Sequence, residues 1–139
     1  RDPDITEQVM KPGGWYASGD LGRQSADGAL QVVGRLKEMI IRSGFNVYPG
    51  EVEAVLLNYP GVQKAAVIGR KTADGNEEIL AFVEPKFGIE IDASALQLHA
   101  HTHLTAYKRP SAITVVADMP MTLSGKILKR ELLQRISDD

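Results

Sequence analysis

From residue 49 onward the apolar positions alternate between two spacings. Val52, Val55, Leu56 and Tyr59 recur at i, i+3, i+4 and i+7, one face of a helix. Pro49 suits the first turn of that helix, where its missing N–H costs nothing, and Pro60-Gly61 marks the stop. Residues 65–69 read as a small buried strand, 73–76 as a turn and 79–83 as a second strand. Asp92 stands where it can cap a helix in which Leu96, Ala100 and Leu104 repeat every fourth position. Residues 113–116 form a third strand. Ser124 is then the expected cap of a last helix with Leu128, Leu132 and Ile136 on its inner stripe. The order helix, strand, strand, helix, strand, helix predicts an α+β fold, a small sheet covered by helices.

Upstream the pattern is different. Residues 1–13 are polar and proline-bearing and read as irregular. Two extended runs, 15–21 and 29–33, flank Ser25-Ala26-Asp27-Gly28. Asp-Gly supplies the positive φ of a tight turn, so a β-hairpin is expected to precede the sandwich. Two strands alone are marginal in water and need another surface to lean on. Between the halves, residues 34–53 carry glycines, basic residues and an apolar patch before Pro49 and read as a joint.

Composition narrows the class. The 139 residues are 43% hydrophobic and 24% charged, the profile of a globular chain, with no run of ~20 apolar residues to span a membrane. There is no signal-peptide pattern, so membrane contact is at most peripheral. Cysteine is absent, which removes disulfides and thiolate chemistry and suits the cytoplasm. Sixteen basic and 18 acidic residues leave a net charge of −2. Nucleic-acid binders are more often strongly basic, so no nucleic-acid partner is expected. The opening Arg1-Asp2-Pro3-Asp4 has no initiator methionine and reads as the cut edge of a longer polypeptide.

Four stretches can carry chemistry. In Ser18-Gly19-Asp20, Asp20 either turns a strand end or offers two acceptor oxygens to a pair of vicinal hydroxyls. In Thr122-Leu123-Ser124-Gly125-Lys126, Gly-Lys invites comparison with a phosphate-binding loop. The comparison fails, because Pro120 stands where the first glycine belongs and Ile127 where Ser or Thr belongs. What remains is a capped surface helix, or a lysine and amide donors able to attract an anion. His99, His101 and His103 resemble a metal cluster, but in a helix His101 points ~200° away from His99. Two histidines without a third ligand make a weak site, so no metal site is expected. In the joint, Arg35 next to Gly34 can reach a phosphate or ribose, and Gly44 lets backbone pass close to a slim ligand; ordinary turn glycines explain the same residues.

Together these stretches resemble the adenylate-forming family of acyl-CoA synthetases, peptide-synthetase adenylation domains and luciferases. Residues 15–21 are similar to its G-W-Y-x-T-G-D-L segment, and 34–53 to its long hinge motif. Tyr107-Lys108-Arg109-Pro110 matches its Y-K-x-P, and residues 120–127 resemble its P-x-T-x-x-G-K-I. Ser18 replaces the usual Thr, and Lys37 stands where many members carry Asp.

The resemblance implies the carboxy-terminal part of an ATP-dependent, AMP-forming acid–thiol ligase, with a fatty acid as the expected acid. Residues 1–36 would be the edge of a large amino-terminal adenylation domain that lies outside the chain, and 37–139 a small mobile domain. Lys126 would be the catalytic adenylation lysine. Asp20 and Arg35 would hold the ribose, Lys37 would be the hinge, and Ser43, Gly44 and Phe45 would line the CoA path. ATP with Mg2+ and CoA would be substrates of the full-length enzyme, none held tightly by this segment, which alone would be inactive. Two rivals stand beside this reading. One keeps the family with an aryl acid or a carrier-protein acceptor; the other is a non-enzymatic α+β interaction module. The sequence leaves the oligomeric state open.

Overall fold

The computed structural model describes residues 3–137 and divides into two compact units, the first ending at Lys37 and the second beginning at Glu38.

The first unit begins with a short helix, α1 (Pro3–Val9), followed by a ribbon of β1 (Met10–Lys11) and β2 (Trp15–Tyr16). The expectation of irregular structure over residues 1–13 is therefore corrected from residue 3 onward; residues 1 and 2 lie outside the described residues. Asp4 in the first turn complements the helix N-terminus, and Gly13 and Gly14 take φ of 82° and 79° to reverse the ribbon. The expected hairpin is present as β3 (Asp20–Gln24) and β4 (Leu30–Arg35). The run 15–21 is not one strand, because Gly19 at φ 77° separates β2 from β3. No described residue of this unit is buried, and Trp15, Leu30 and Val32 are largely exposed.

The second unit is built on β7 (Val62–Lys71) and β8 (Glu77–Pro85), a long antiparallel pair. The joint contributes a short hairpin of its own ahead of them, β5 (Ile40–Arg42) and β6 (Phe45–Val47), which the apolar spacing did not reveal. β9 (Ala112–Val115) runs parallel to β8 at the opposite edge from β7. A parallel neighbour requires a long crossover, and α3 (Ala93–His103) supplies it.

Strand side chains alternate between faces, and here both faces are covered. Ala65, Val67, Ile79, Ala81 and Val83 pack with Val52 and Leu56 of α2 (Pro49–Leu57) and with Leu96, Ala100 and Leu104. Ala66, Leu80 and Phe82 pack with Met119 and with Leu132 of α4 (Lys129–Ser137). The α+β sandwich is thus as expected, with Asp92 capping α3 by accepting the Ser94 N–H at 2.8 Å.

Several boundaries differ: β7 and β8 extend beyond the expected 65–69 and 79–83, and β9 lies one residue earlier than the expected 113–116. α2 ends at Leu57, ahead of Pro60-Gly61. Ser124 does not cap α4, which begins only at Lys129; residues 121–127 form a tight turn closed by a Met121–Ile127 bridge. The turn's own hydrogen bonds compete with helix and delay its start. Leu132 faces the core as expected, Leu128 precedes the helix, and the Ile136 side chain lies outside the described residues.

Leu56 is fully buried between α2 and the sheet. Leu56→Ala is expected to destabilise the second unit by about 2–5 kcal/mol, measured as a lowered midpoint in urea unfolding.

Candidate functional site

Asp20 and Arg35 face each other across the open end of the β3–β4 hairpin. The Arg35 Nε lies 3.3 Å from Asp20 Oδ1. The Ser18 hydroxyl accepts the Asp20 N–H at 3.1 Å, and the Leu36 N–H donates to the Gly19 carbonyl at 2.8 Å. The carboxylate is thereby oriented while its second oxygen has no partner among the described residues. Lys37 is exposed in a 3-10 turn, Leu36–Glu38, and is the last residue of the first unit.

Ser43 and Gly44 form the two-residue tip of the β5–β6 hairpin, with φ of 52° and 80°. Left-handed values at both central positions match the right-handed twist of the flanking strands. Phe45 follows, half exposed, its ring stacked on Tyr107 at 4.6 Å and 20°. The Lys108 Nζ lies 5.7 Å from the Tyr107 ring and 2.6 Å from Glu51 Oε2. That hydrogen bond and the Glu51 charge, against an opposing effect of burial, hold the Lys108 ammonium above its ordinary pKa.

Lys126 is exposed on the loop between Met121 and Ile127. The Thr122 N–H donates to the Lys126 carbonyl at 2.8 Å, and the Lys126 N–H donates to the Thr122 hydroxyl at 3.0 Å. Gly125 adopts φ 82°, which closes the turn. Among the described residues the Lys126 ammonium has no ion-pair partner. It borders a groove of about 800 Å³ whose wall includes Glu38, Glu53, Lys129 and Arg130. None of Ser43, Gly44 and Phe45 lines that groove. The candidate residues of the second unit therefore fall into two places, the Lys126 loop and the hairpin tip.

Both ends of the Lys126 loop are tied down. Lys129 sits 2.9 Å from Glu38 Oε2 and 3.0 Å from Glu53 Oε1, linking α4 to α2 and to the first residue of the unit. The same Glu53 oxygen accepts the Val67 N–H at 2.9 Å. On the other side Glu84, the one buried charged residue of the described core, accepts the Met119 N–H at 2.7 Å and Lys64 Nζ at 2.7 Å. The Leu128 N–H donates to the Pro120 carbonyl at 2.8 Å and closes the base. A free ammonium is thus carried on a loop fixed at each end.

Glu84 and Lys129 were not singled out from the sequence. Glu84 carried a readable signal, a lone carboxylate directly following an apolar strand, which must be paired if buried. Lys129 carried none, since its partners are 91 and 76 residues away. The histidines take the helical arrangement expected: the His99 and His103 rings lie 4.2 Å apart, while His101 contacts Gln97. His99 pairs with the Val55 carbonyl and His103 with the His99 carbonyl. No group of three metal-ligating side chains occurs among the described residues. None of the described helices is long and apolar enough to cross a membrane.

With this geometry the chain meets its relatives. The family model of the AMP-binding enzyme C-terminal domain matches residues 51–126, and the chain belongs to that family. It is 43% identical over 133 residues to a feruloyl-CoA synthase of an Amycolatopsis species, covering 96% of this chain and 27% of that protein. It is 40% identical over 130 residues to a long-chain-fatty-acid–CoA ligase of Salmonella typhimurium, covering 94% and 23%. The crystal structure of ATP-bound MatB from Rhodopseudomonas palustris matches with a TM-score of 0.89 at 33% identity, over 99% of this chain and 27% of that one. The chain thus spans about a quarter of the length of these proteins.

Glu84 gives the site a pH signature. Burial pushes its carboxyl up, but the Lys64 and Met119 hydrogen bonds and the Lys64 charge more than offset this, leaving the pKa below the ordinary value. A lowered carboxylate contributes stability that is complete above its unfolded pKa and is lost as pH falls through the folded one. Glu84→Gln is expected to cost about 1–3 kcal/mol at pH 7 and to flatten the loss of stability on acidification, read from unfolding curves between neutral and acid pH.

Proposed function

We propose that this chain is the carboxy-terminal part of an ATP-dependent, AMP-forming acyl-CoA ligase. Residues 1–36 are the edge of its large adenylation domain and 37–139 its small mobile domain. The observation that carries the reading is the Lys126 ammonium, without an ion-pair partner among the described residues, on a loop braced by Glu84 and Lys129. In the first step a carboxylate attacks the α-phosphate of ATP, supplied with Mg2+, and pyrophosphate leaves. Charge develops on the transferred phosphoryl and leaving oxygens, and a fixed cation stabilises it there without reorganising at the moment of reaction. Asp20, held by Arg35, takes the ribose hydroxyls. The large exposed side chains of the first unit, Trp15 and Leu30 among them, fit an element made to be covered by further chain.

In the second step the small domain turns about Lys37, and Ser43, Gly44 and Phe45 face the pantetheine of CoA, whose thiol displaces AMP. One mobile domain can serve both steps because its two places lie on different loops, each closing the site in turn. We take the acid to be a fatty acid and the compartment to be the cytoplasm. A second reading is an aryl acid, since a feruloyl-CoA synthase stands among the relatives beside the fatty-acid ligase.

In the full-length enzyme, Lys126→Ala is expected to slow ATP–pyrophosphate exchange by roughly 10²–10³-fold while sparing thioester formation from supplied acyl-adenylate. Equal loss of both steps would remove the assigned role. Lys37→Pro, which locks φ near −65°, is expected to slow the thioester step more than adenylation in single-turnover assays. A parallel fall of both would place the pivot elsewhere.

A further inference from the structure

The β7–β8 turn reaches back to the hairpin tip through two consecutive side chains. Glu77 Oε2 accepts the Ile41 N–H at 2.6 Å, and Asn76 Oδ1 accepts the Ser43 N–H at 2.7 Å. Ile41 and Ser43 are two apart, so their N–H groups leave the same edge of β5, the edge not paired with β6. Asn76 and Glu77 thus act as a substitute for a neighbouring strand. The Asn76 amide nitrogen also lies 3.5 Å from the Ser43 hydroxyl.

This support falls where the backbone most needs it. Ser43 has the only positive φ of any non-glycine described residue, 52°. A side chain in that region is disfavoured unless its surroundings hold it there. A hairpin with three residues per strand has little rigidity of its own. Its base is seated on the sheet: a Cβ on Gly69 would lie 3.0 and 3.2 Å from the Ile40 Cγ1 methylene and Cγ2 methyl carbons. Its tip is held by Asn76. The turn that carries Asn76 is itself fixed, since the Thr72 N–H and hydroxyl donate to the Asn76 carbonyl at 2.9 and 3.0 Å, and the Asn76 N–H donates to Asp74 Oδ1 at 3.2 Å.

We propose that Asn76 is a positioning residue for the thiol-transfer step, fixing the left-handed Ser43-Gly44 tip so that its backbone presents one surface to the incoming pantetheine. The proposal rests on the reading of Ser43, Gly44 and Phe45 as the CoA-facing surface. Asn76 touches neither the Lys126 loop nor its braces in any contact of the described residues, so adenylation does not depend on it.

The test uses the full-length ligase and compares ATP–pyrophosphate exchange with transfer from supplied acyl-adenylate to CoA. Asn76→Ala is expected to lower kcat/KM for CoA roughly tenfold, the effect of losing one orienting hydrogen bond, with exchange kept within about twofold. Asn76→Asp keeps an oxygen for the Ser43 N–H and is expected to recover most of the loss. The proposal is overturned if Asn76→Ala transfers as well as the wild type, if both steps fall alike, or if Asp is no better than Ala. A wild-type ligase that exchanges pyrophosphate but makes no thioester overturns the functional reading as well. A wild type that makes thioester alongside an unaffected Asn76→Ala overturns the inference alone.

Discussion

A strand pair buried on both faces is the constraint that the second unit depends on. β7 and β8 run for ten and nine residues, and their alternating side chains enter two separate cores. One face needs α2 and α3, the other needs α4, and neither helix set can be lost without exposing half the ladder. Glu84 is the exception within this pair. Its carboxylate lies under the second core and stays charged because Lys64 and the Met119 N–H compensate its burial.

That arrangement turns structural groups into supports for the two candidate loops. The segment leading to Lys126 is fixed at Met119 by a residue of the central strand and at Lys129 by carboxylates of α2 and of the 3-10 turn. The hairpin tip is fixed from the β7–β8 turn. In each case a side chain captures a backbone group or a charge from a distant stretch. Beyond what they add to global stability, such bonds decide which of several loop conformations is populated. Lys126 and one oxygen of Asp20 have no such partner among the described residues.

Family relationship and chemistry have different reach across this chain. The fold, the match to the AMP-binding enzyme C-terminal domain and the similarity to CoA ligases concern the segment itself. Relatives of similar identity are named for different acids, as a feruloyl-CoA synthase and a long-chain-fatty-acid–CoA ligase. On the proposed reading the small domain meets only the phosphoryl group and the thiol, which stay the same whichever acid is activated.

The apolar spacing by itself determined the α2 face, the capped α3 and the order of elements after the joint, because helix and strand periods are local properties of the chain. The candidate residues Asp20, Arg35, Lys37, Ser43, Gly44, Phe45 and Lys126 came instead from short motifs and the family resemblance they carry, which apolar spacing does not encode. Local reading failed where short-range competition decided the outcome: α1 in a stretch that looked irregular, and the turn at Thr122–Gly125 that displaces the start of α4. Only the tertiary structure decided which polar groups stand guard over the loops. Asn76 meets Ser43 across 33 residues, Glu84 meets Met119 across 35 and Lys129 meets Glu38 across 91. Partners so far apart leave no periodic trace, since their pairing is set by the packing of the strands and helices between them.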